Sequence, residues 1–458
     1  RRMAELRARR GEAGASEPGI LKPDIPDRVF SFLDANFDER YGGFGTDQKF
    51  PQTSALHFLL DRAARTRDER AADIVTRTLR AMAGGGMYDR VHGAFYRYST
   101  TRDFSVPHFE KMLEDLGGLL YACARASAMY GDSELARVAV EVRAYLDERL
   151  WNQSAGAYGG SQDADESYYM LDATGRAASV APFVDPTVYA SWNAEAAQAL
   201  IASGPLLAAR GVDAAEWTAR GISIVESLWQ RLLVDGLMCR YFDGQPHVRG
   251  LLSDQAWCAW AALSAFEATG DTIWLRRASE LVDAAEELFD ASAGAYRDRL
   301  ADASSPGRLI EPAFPLDDNA LVARVCQKLA ALSGDAARRD RARVVLESNA
   351  ESYRAYGMFA AAYGSAVLDW FHPAHDVVIV GRPSDSATVA LRETARRAAF
   401  GPVTVNVVDP NDTSRLAALG HSAEARPTAF VCDDRSCFVK TSDDRELETA
   451  LSQAAARM

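Results

Sequence analysis

The sequence predicts a mainly α protein, an (α/α)6 toroid of six helical hairpins with a small C-terminal α/β domain, and three observations carry that expectation. Apolar residues recur at three- and four-residue spacing over most of the chain. A loop theme of an aromatic or aspartate, then glycine and another aromatic, returns between the helical stretches. After Trp370 the texture changes to short β-branched runs alternating with helical ones.

Residues 11–24 (GEAGASEPGILKPD) are rich in Gly, Ala, Ser and Pro and read as a linker. The helical stripe is clearest at Leu135–Leu150, Ala194–Ala202, Ala256–Ala268 and Leu321–Leu332. The loop theme starts at Phe37 (FDERYGGFG), Met87 (MYDRVHGAFYRYS), Trp151 (WNQSAGAYGG), Val234 (VDGLMCRYFDG), Phe289 (FDASAGAY) and, more weakly, Tyr356 (YGMFAAAYG). Those intervals suit one helix pair plus a loop, and a helical repeat has to bury its stripe against its neighbours. An open solenoid is the alternative. Long loops rich in glycine and aromatics favour the closed ring, with the loops of Gly42, Gly84 and Gly159 on one face as its mouth.

In the C-terminal part, His375–Gly381 and Pro402–Val408 read as strands, Ala387–Ala399 as a helix, Thr428–Lys440 as a hairpin and Leu447–Ala455 as a closing helix. The expected division is therefore 1–22 linker or remnant of a preceding domain, 23–372 toroid and 373–458 α/β domain, the last standing away from the main pocket.

Of the 458 residues, 48% are hydrophobic and the formal net charge is -13, a field that repels phosphate backbones and anionic headgroups. Nucleic acid and membrane are excluded as expected partners. No apolar run reaches spanning length, and no apolar segment follows Arg1-Arg2-Met3 as a secretory signal would require. With six thinly spread cysteines, this predicts a cytoplasmic protein whose Cys123, Cys239, Cys258 and Cys326 are core residues. Cys432 and Cys437 flank a four-residue turn and are expected as reduced thiols, with a disulfide or half a zinc site as the alternatives. No metal and no cofactor is predicted. His372 and His375 are read as packing at the domain junction.

The densest run of polar residues lies at 84–116. There His108 sits two residues before Glu110 and three before Lys111, behind Pro107 placed to open a helix. His108 and Glu110 are candidate acid/base catalysts, the competing reading being a helix cap with an ion pair to Lys111. In SQDADESYY, Asp163 is a third catalytic candidate and Asp165 a substrate-binding one, against a capping role. Asp254 and Asp318 precede apolar stretches as helix caps or as carboxylates aimed into the ring. Arg97, Tyr98, Trp192 and Asn193 are expected to line a sugar pocket with aromatic faces and hydrogen-bonding groups, together with Asp89 and Lys111.

In order along the chain, GGFGTDQKFP, GGGMYD, FYRYS, VPHFEKM, GGSQDADESYY, WNA and PLDDN resemble the thioredoxin-domain family that includes bacterial YyaL and spermatogenesis-associated protein 20. The resemblance implies a thioredoxin-like domain ahead of a toroid similar to six-hairpin glycosidases and N-acylglucosamine 2-epimerases. Arg1–Gly19 would be the remnant of that first domain. The sequence departs from the family pattern at His92-Gly93-Ala94, at Gln48, and at Glu114-Asp115, where a Tyr and an Asn are expected. The resulting expectation is a carbohydrate-active enzyme, hydrolase-like or epimerase-like, with a small carbohydrate as ligand. The alternative is a non-catalytic scaffold that binds a glycan or a protein.

Overall fold

The computed structural model describes residues 19–300, 311, 313–398, 402–433 and 436–457. Most of the expected 1–22 linker lies outside the described residues. Outer and inner helices alternate along the chain. The pairs are α1 (Ile25–Asn36) with α2 (Thr53–Thr66), α3 (Glu69–Gly84) with α4 (Leu113–Tyr130), and α5 (Ser133–Tyr145) with α6 (Ala190–Ala208). They continue as α7 (Ala215–Leu232) with α8 (Leu252–Thr269), α9 (Thr272–Ala285) with α10 (Leu316–Ser333), and α11 (Ala336–Glu347) with α12 (Ala361–Phe371).

The even-numbered helices form the inner ring. Each packs on the next, and α12 returns to α2, so the toroid is closed. Their sequences say why. α6 and α8 are Ala- and Leu-rich nearly all round and are buried on both sides, whereas an outer helix such as α3 confines its apolar residues to one stripe.

Inner helices run into outer ones through short turns. Gly131, Gly270 and Gly334 take φ of 72°, 72° and 76° to end α4, α8 and α10. The aspartate that follows each (Asp132, Asp271, Asp335) accepts a backbone N–H at the start of the next helix.

Outer helices return to inner ones through the long loops, which therefore share one face with the inner-helix N-termini. Phe37/Phe44, Tyr88/Phe95, Trp151/Tyr158 and Phe289/Tyr296 pair across tight hairpins as edge-to-face rings 6.4, 5.0, 5.4 and 5.1 Å apart. The loop starting at Tyr356 is different: Ser352–Ala360 is a 3-10 segment and makes no such hairpin.

The C-terminal sheet has the order β2-β1-β3-β4, from β1 (His375–Val380), β2 (Val403–Val408), β3 (Thr428–Cys432) and β4 (Cys437–Thr441). β1 and β2 are parallel, the other pairs antiparallel. With helices Ser386–Arg396, Thr413–Ala418 and Asp444–Arg457 it covers the short-turn end of the ring. Arg392, Arg396 and Asn406 donate to the carbonyls of Thr269, Ile201 and Leu332, near the C-termini of inner helices. We propose domain limits of 23–372 and 373–458 on the break between α12 and β1. Cys432 and Cys437 face each other across β3 and β4 and are joined as a disulfide, which corrects the expectation of two reduced thiols.

Candidate functional site

Pro107–His108 and Tyr98–Ser99 form a two-residue antiparallel pair, and Lys111–Met112 pairs with Ser161–Gln162. Extended backbone therefore persists to Met112 and α4 starts at Leu113, so Pro107 opens no helix. The His108 ring stacks on Tyr98 at 5.0 Å, and Tyr98 stacks on Phe50 at 4.7 Å. His108 Nε2 is 3.6 Å from Glu110 Oε2, which also accepts from Arg97 Nη1 at 2.8 Å. All three side chains are partly exposed and form a rim.

Several predicted ligand residues turn out to be structural. Asp89 and Lys111 are buried against each other at 2.6 Å. Arg176 Nη1 donates to Asp89, and Tyr96, Tyr145 and Tyr169 face the ammonium. Burial brings the Lys111 pKa down to about 8, against the pull of Asp89. Lys111 also donates to the Gly93 carbonyl, as buried Lys49 does to Asp38 and the Gly42 carbonyl, so both lysines brace hairpins from within.

Asn193 is no pocket residue either, since its amide holds the backbone of Tyr158 and Tyr189. Gln255 and Asn319, also fourth in their inner helices, clamp Met238 and Tyr296 in the same way. Asp165 caps the short helix Glu166–Tyr169. Asp163 is exposed and, among the described residues, its side chain has no hydrogen bond or ion pair with His108 or Glu110.

At the mouth end of the ring, carboxylates instead recur at one helix position. Asp115, Asp254 and Asp318 are each the third residue of an inner helix, α4, α8 and α10, and Trp192 is the third of α6. None of the aspartates caps its own helix. Asp254 accepts instead from Ser191 N of α6 and from Arg240 Nη1, both at 3.1 Å, while among the described residues its buried Oδ2 has no hydrogen-bond partner. Arg240 lies over the rings of Trp192 and Tyr189, which pack on each other at 4.3 Å. Glu195, one turn deeper in α6, reaches the Gly118 surface of α4, where its Oε1 would stand 3.0 Å from a Cβ.

A helix N-terminus lowers a carboxylate's pKa, but here burial and mutual repulsion win. Burial and then Glu114 raise Asp115 to about 7, with Arg97 opposing and Glu110 adding to the rise. Burial with Glu114 and Asp115 takes Glu195 to about 8. Asp254 rises to about 6 through burial, held back by Arg240. Asp318 rises to about 7 through burial and the charges of Asp317, Asp254 and Asp298. The Glu110 rim and the Asp115–Glu195 group thus share one electrostatic environment. Among the described residues, the grouping with three potential metal-ligand atoms within 4.8 Å is His421, Cys432 and Cys437, away from this mouth.

A stretch of 145 residues is 39% identical to spermatogenesis-associated protein 20 from Homo sapiens, covering 31% of this chain and 18% of that protein. Over that stretch the chain resembles spermatogenesis-associated protein 20. The matched stretch thus spans under a fifth of that protein's length. An uncharacterized Caenorhabditis elegans protein, B0495.5, is 34% identical over 143 residues, 30% of this chain and 19% of that one. No protein-family model matches. Among solved structures, the cellobiose 2-epimerase of Spirochaeta thermophila superposes with a TM-score of 0.59 at 16% identity, over 80% of this chain and 96% of that one. An unsaturated glucuronyl hydrolase specific for heparin gives 0.53 at 13% identity, over 76% and 95%. At these identities the likeness shows the toroid alone.

Sequence reasoning missed Asp115, Glu195 and Arg240. Glu195 had a signal, a lone charge inside the apolar run of α6. Asp115 had one too, the same helix position as Asp254 and Asp318.

Proposed function

We propose that the ring mouth is the active site of a carbohydrate-active enzyme that cleaves a glycosidic bond. What supports this most is the set of carboxylates on neighbouring inner helices, Asp115, Glu195, Asp254 and Asp318, raised toward neutrality beside Glu110. Glycosidic cleavage needs one carboxyl that keeps its proton to give to the leaving oxygen and one carboxylate that supports the sugar cation or activates water. Glu195 and Asp115 fit the first role and Glu110, with His108 at 3.6 Å, the second. Half-buried Trp192 offers an aromatic surface for a sugar ring. The toroid is also the fold of the epimerase and the hydrolase above.

Incubating the full chain with a panel of di- and oligosaccharides, followed by proton NMR of the anomeric region, tests the reading. New reducing ends are expected, with Glu195→Gln and Asp115→Asn each lowering the rate on the order of a hundredfold or more. A new epimer at constant chain length would move the site to epimerisation. A sugar that raises the melting temperature without being turned over would favour the scaffold, and no sugar response at all would end the proposal.

A further inference from the structure

A cavity of about 610 Å³ lies at the other end of the ring, between the C-terminal halves of the inner helices and the C-terminal sheet. Asp376, Thr404 and Asp433 of the α/β unit line it. Its volume falls in the range of small-molecule sites, roughly 300–1,000 Å³.

The ring side of this cavity is built from one layer, the ninth residue of each inner helix: Asp61, Tyr121, Gln198, Trp260, Arg324 and Asp369. Asp61 accepts from Arg125 Nη1 at 2.6 Å and Arg324 Nη2 at 3.2 Å, and Arg65 Nη1 lies 3.4 Å from it. Asp369 accepts from Arg324 Nε at 2.6 Å and from Arg65 Nη2. Three guanidiniums thus share two carboxylates. The neighbouring Lys328 and Arg396 are taken by Glu267 and Glu393.

Among the described residues of this layer, guanidiniums outnumber carboxylates by three to two, and buried charge is costly unless it is paired. Among the described residues, buried Arg65 Nη1 has no hydrogen-bond partner. Across the cavity the α/β wall carries the opposite sign, in Asp376 and Asp433.

We propose that this cavity is a second ligand site, separate from the mouth, for a small hydroxylated anion whose oxyanion head meets Arg65, Arg125 and Arg324 while its hydroxyls face the Asp376 wall. A sugar carboxylate and a phosphate ester share that chemistry. The ligand would bridge the ring and the sheet, so binding stabilises their contact.

The test titrates the full chain with glucuronate and, separately, glycerol 3-phosphate, reading melting temperature and the fluorescence of the lining Trp260 and Trp370. Glucose and sodium chloride at matched ionic strength are the controls. One or both anions are expected to bind, the arm that responds naming the head group, with neither control reproducing the shift. Arg125→Gln and Ala202→Phe, the latter filling the cavity without touching a charge, should each weaken binding at least tenfold; Ala202→Phe carries the test if Arg125→Gln does not fold. The mouth variant Glu195→Gln should leave the dissociation constant within twofold. Shifts no larger than with chloride, unchanged affinity in Ala202→Phe, or loss of binding in Glu195→Gln would overturn the proposal.

Discussion

Glu195 holds its proton to about pH 8 in the folded protein, whereas an unfolded glutamate releases it near 4.5. Between those values the folded state binds the extra proton, so this group makes stability fall as pH rises, with no penalty below pH 4.5 and the full one above pH 8. Glu195→Gln removes the penalty. The variant should match the parent in stability near pH 4.5 and exceed it near pH 8, by on the order of a few kcal/mol at most, with a correspondingly higher melting temperature. A melting-temperature difference that stays flat with pH would refute the raised carboxyl. His108 behaves otherwise. Its ring is partly exposed and held by the Tyr98 stack, so His108→Gln should keep the melting temperature within about 2 °C while lowering sugar turnover. A large fall in melting temperature would make it structural. Asp89 is the opposite case, since removing it strands Lys111 and Arg176 in the interior. Asp89→Ala should cost about 3–5 kcal/mol in chemical unfolding.

Among the elements, the hairpins were the most legible. The recurring unit is an aromatic, Asp or Asn, three residues and a glycine. It reads directly because each part answers one need: the acid or amide accepts the turn's N–H groups, and the glycine takes positive φ, 67° at Gly156 and 65° at Gly294. Gly156→Ala meets nothing closer than 3.5 Å, so its cost should be backbone strain alone, about 1–2 kcal/mol by denaturant titration. A loss well above that would mean a packing role as well. The fourth-position amides are a stronger brace: Asn319→Ala frees the Tyr296 N–H and carbonyl, and should cost about 2–4 kcal/mol. The mouth aspartates were harder to read. An aspartate just inside a helix start looks the same in sequence whether it caps that helix or, as Asp254 does, serves the next one. Only the ring neighbour tells them apart. Local density misled in the same way at Lys111 and Asp89, where a polar cluster turned out to be satisfied from within.

At the scale of the molecule, the toroid followed from periodicity because the apolar stripes of the inner helices need neighbours, and closure gives each helix one on either side. Which end carries the chemistry was legible only as far as the long loops go. The ion layer of Asp61, Arg125, Arg324 and Asp369 draws on four helices far apart in sequence, and no local pattern announces it. The two ends are thus different in kind: an acidic, aromatic mouth at the inner-helix N-termini, and an arginine-floored chamber under the sheet. A crystal of the full chain soaked with the oligosaccharide that raises its melting temperature most would decide between them. The account predicts a sugar ring at the mouth on Trp192, with the glycosidic oxygen facing Glu195 or Asp115. A neutral sugar seated only under the sheet, with the mouth carboxylates untouched, would contradict it.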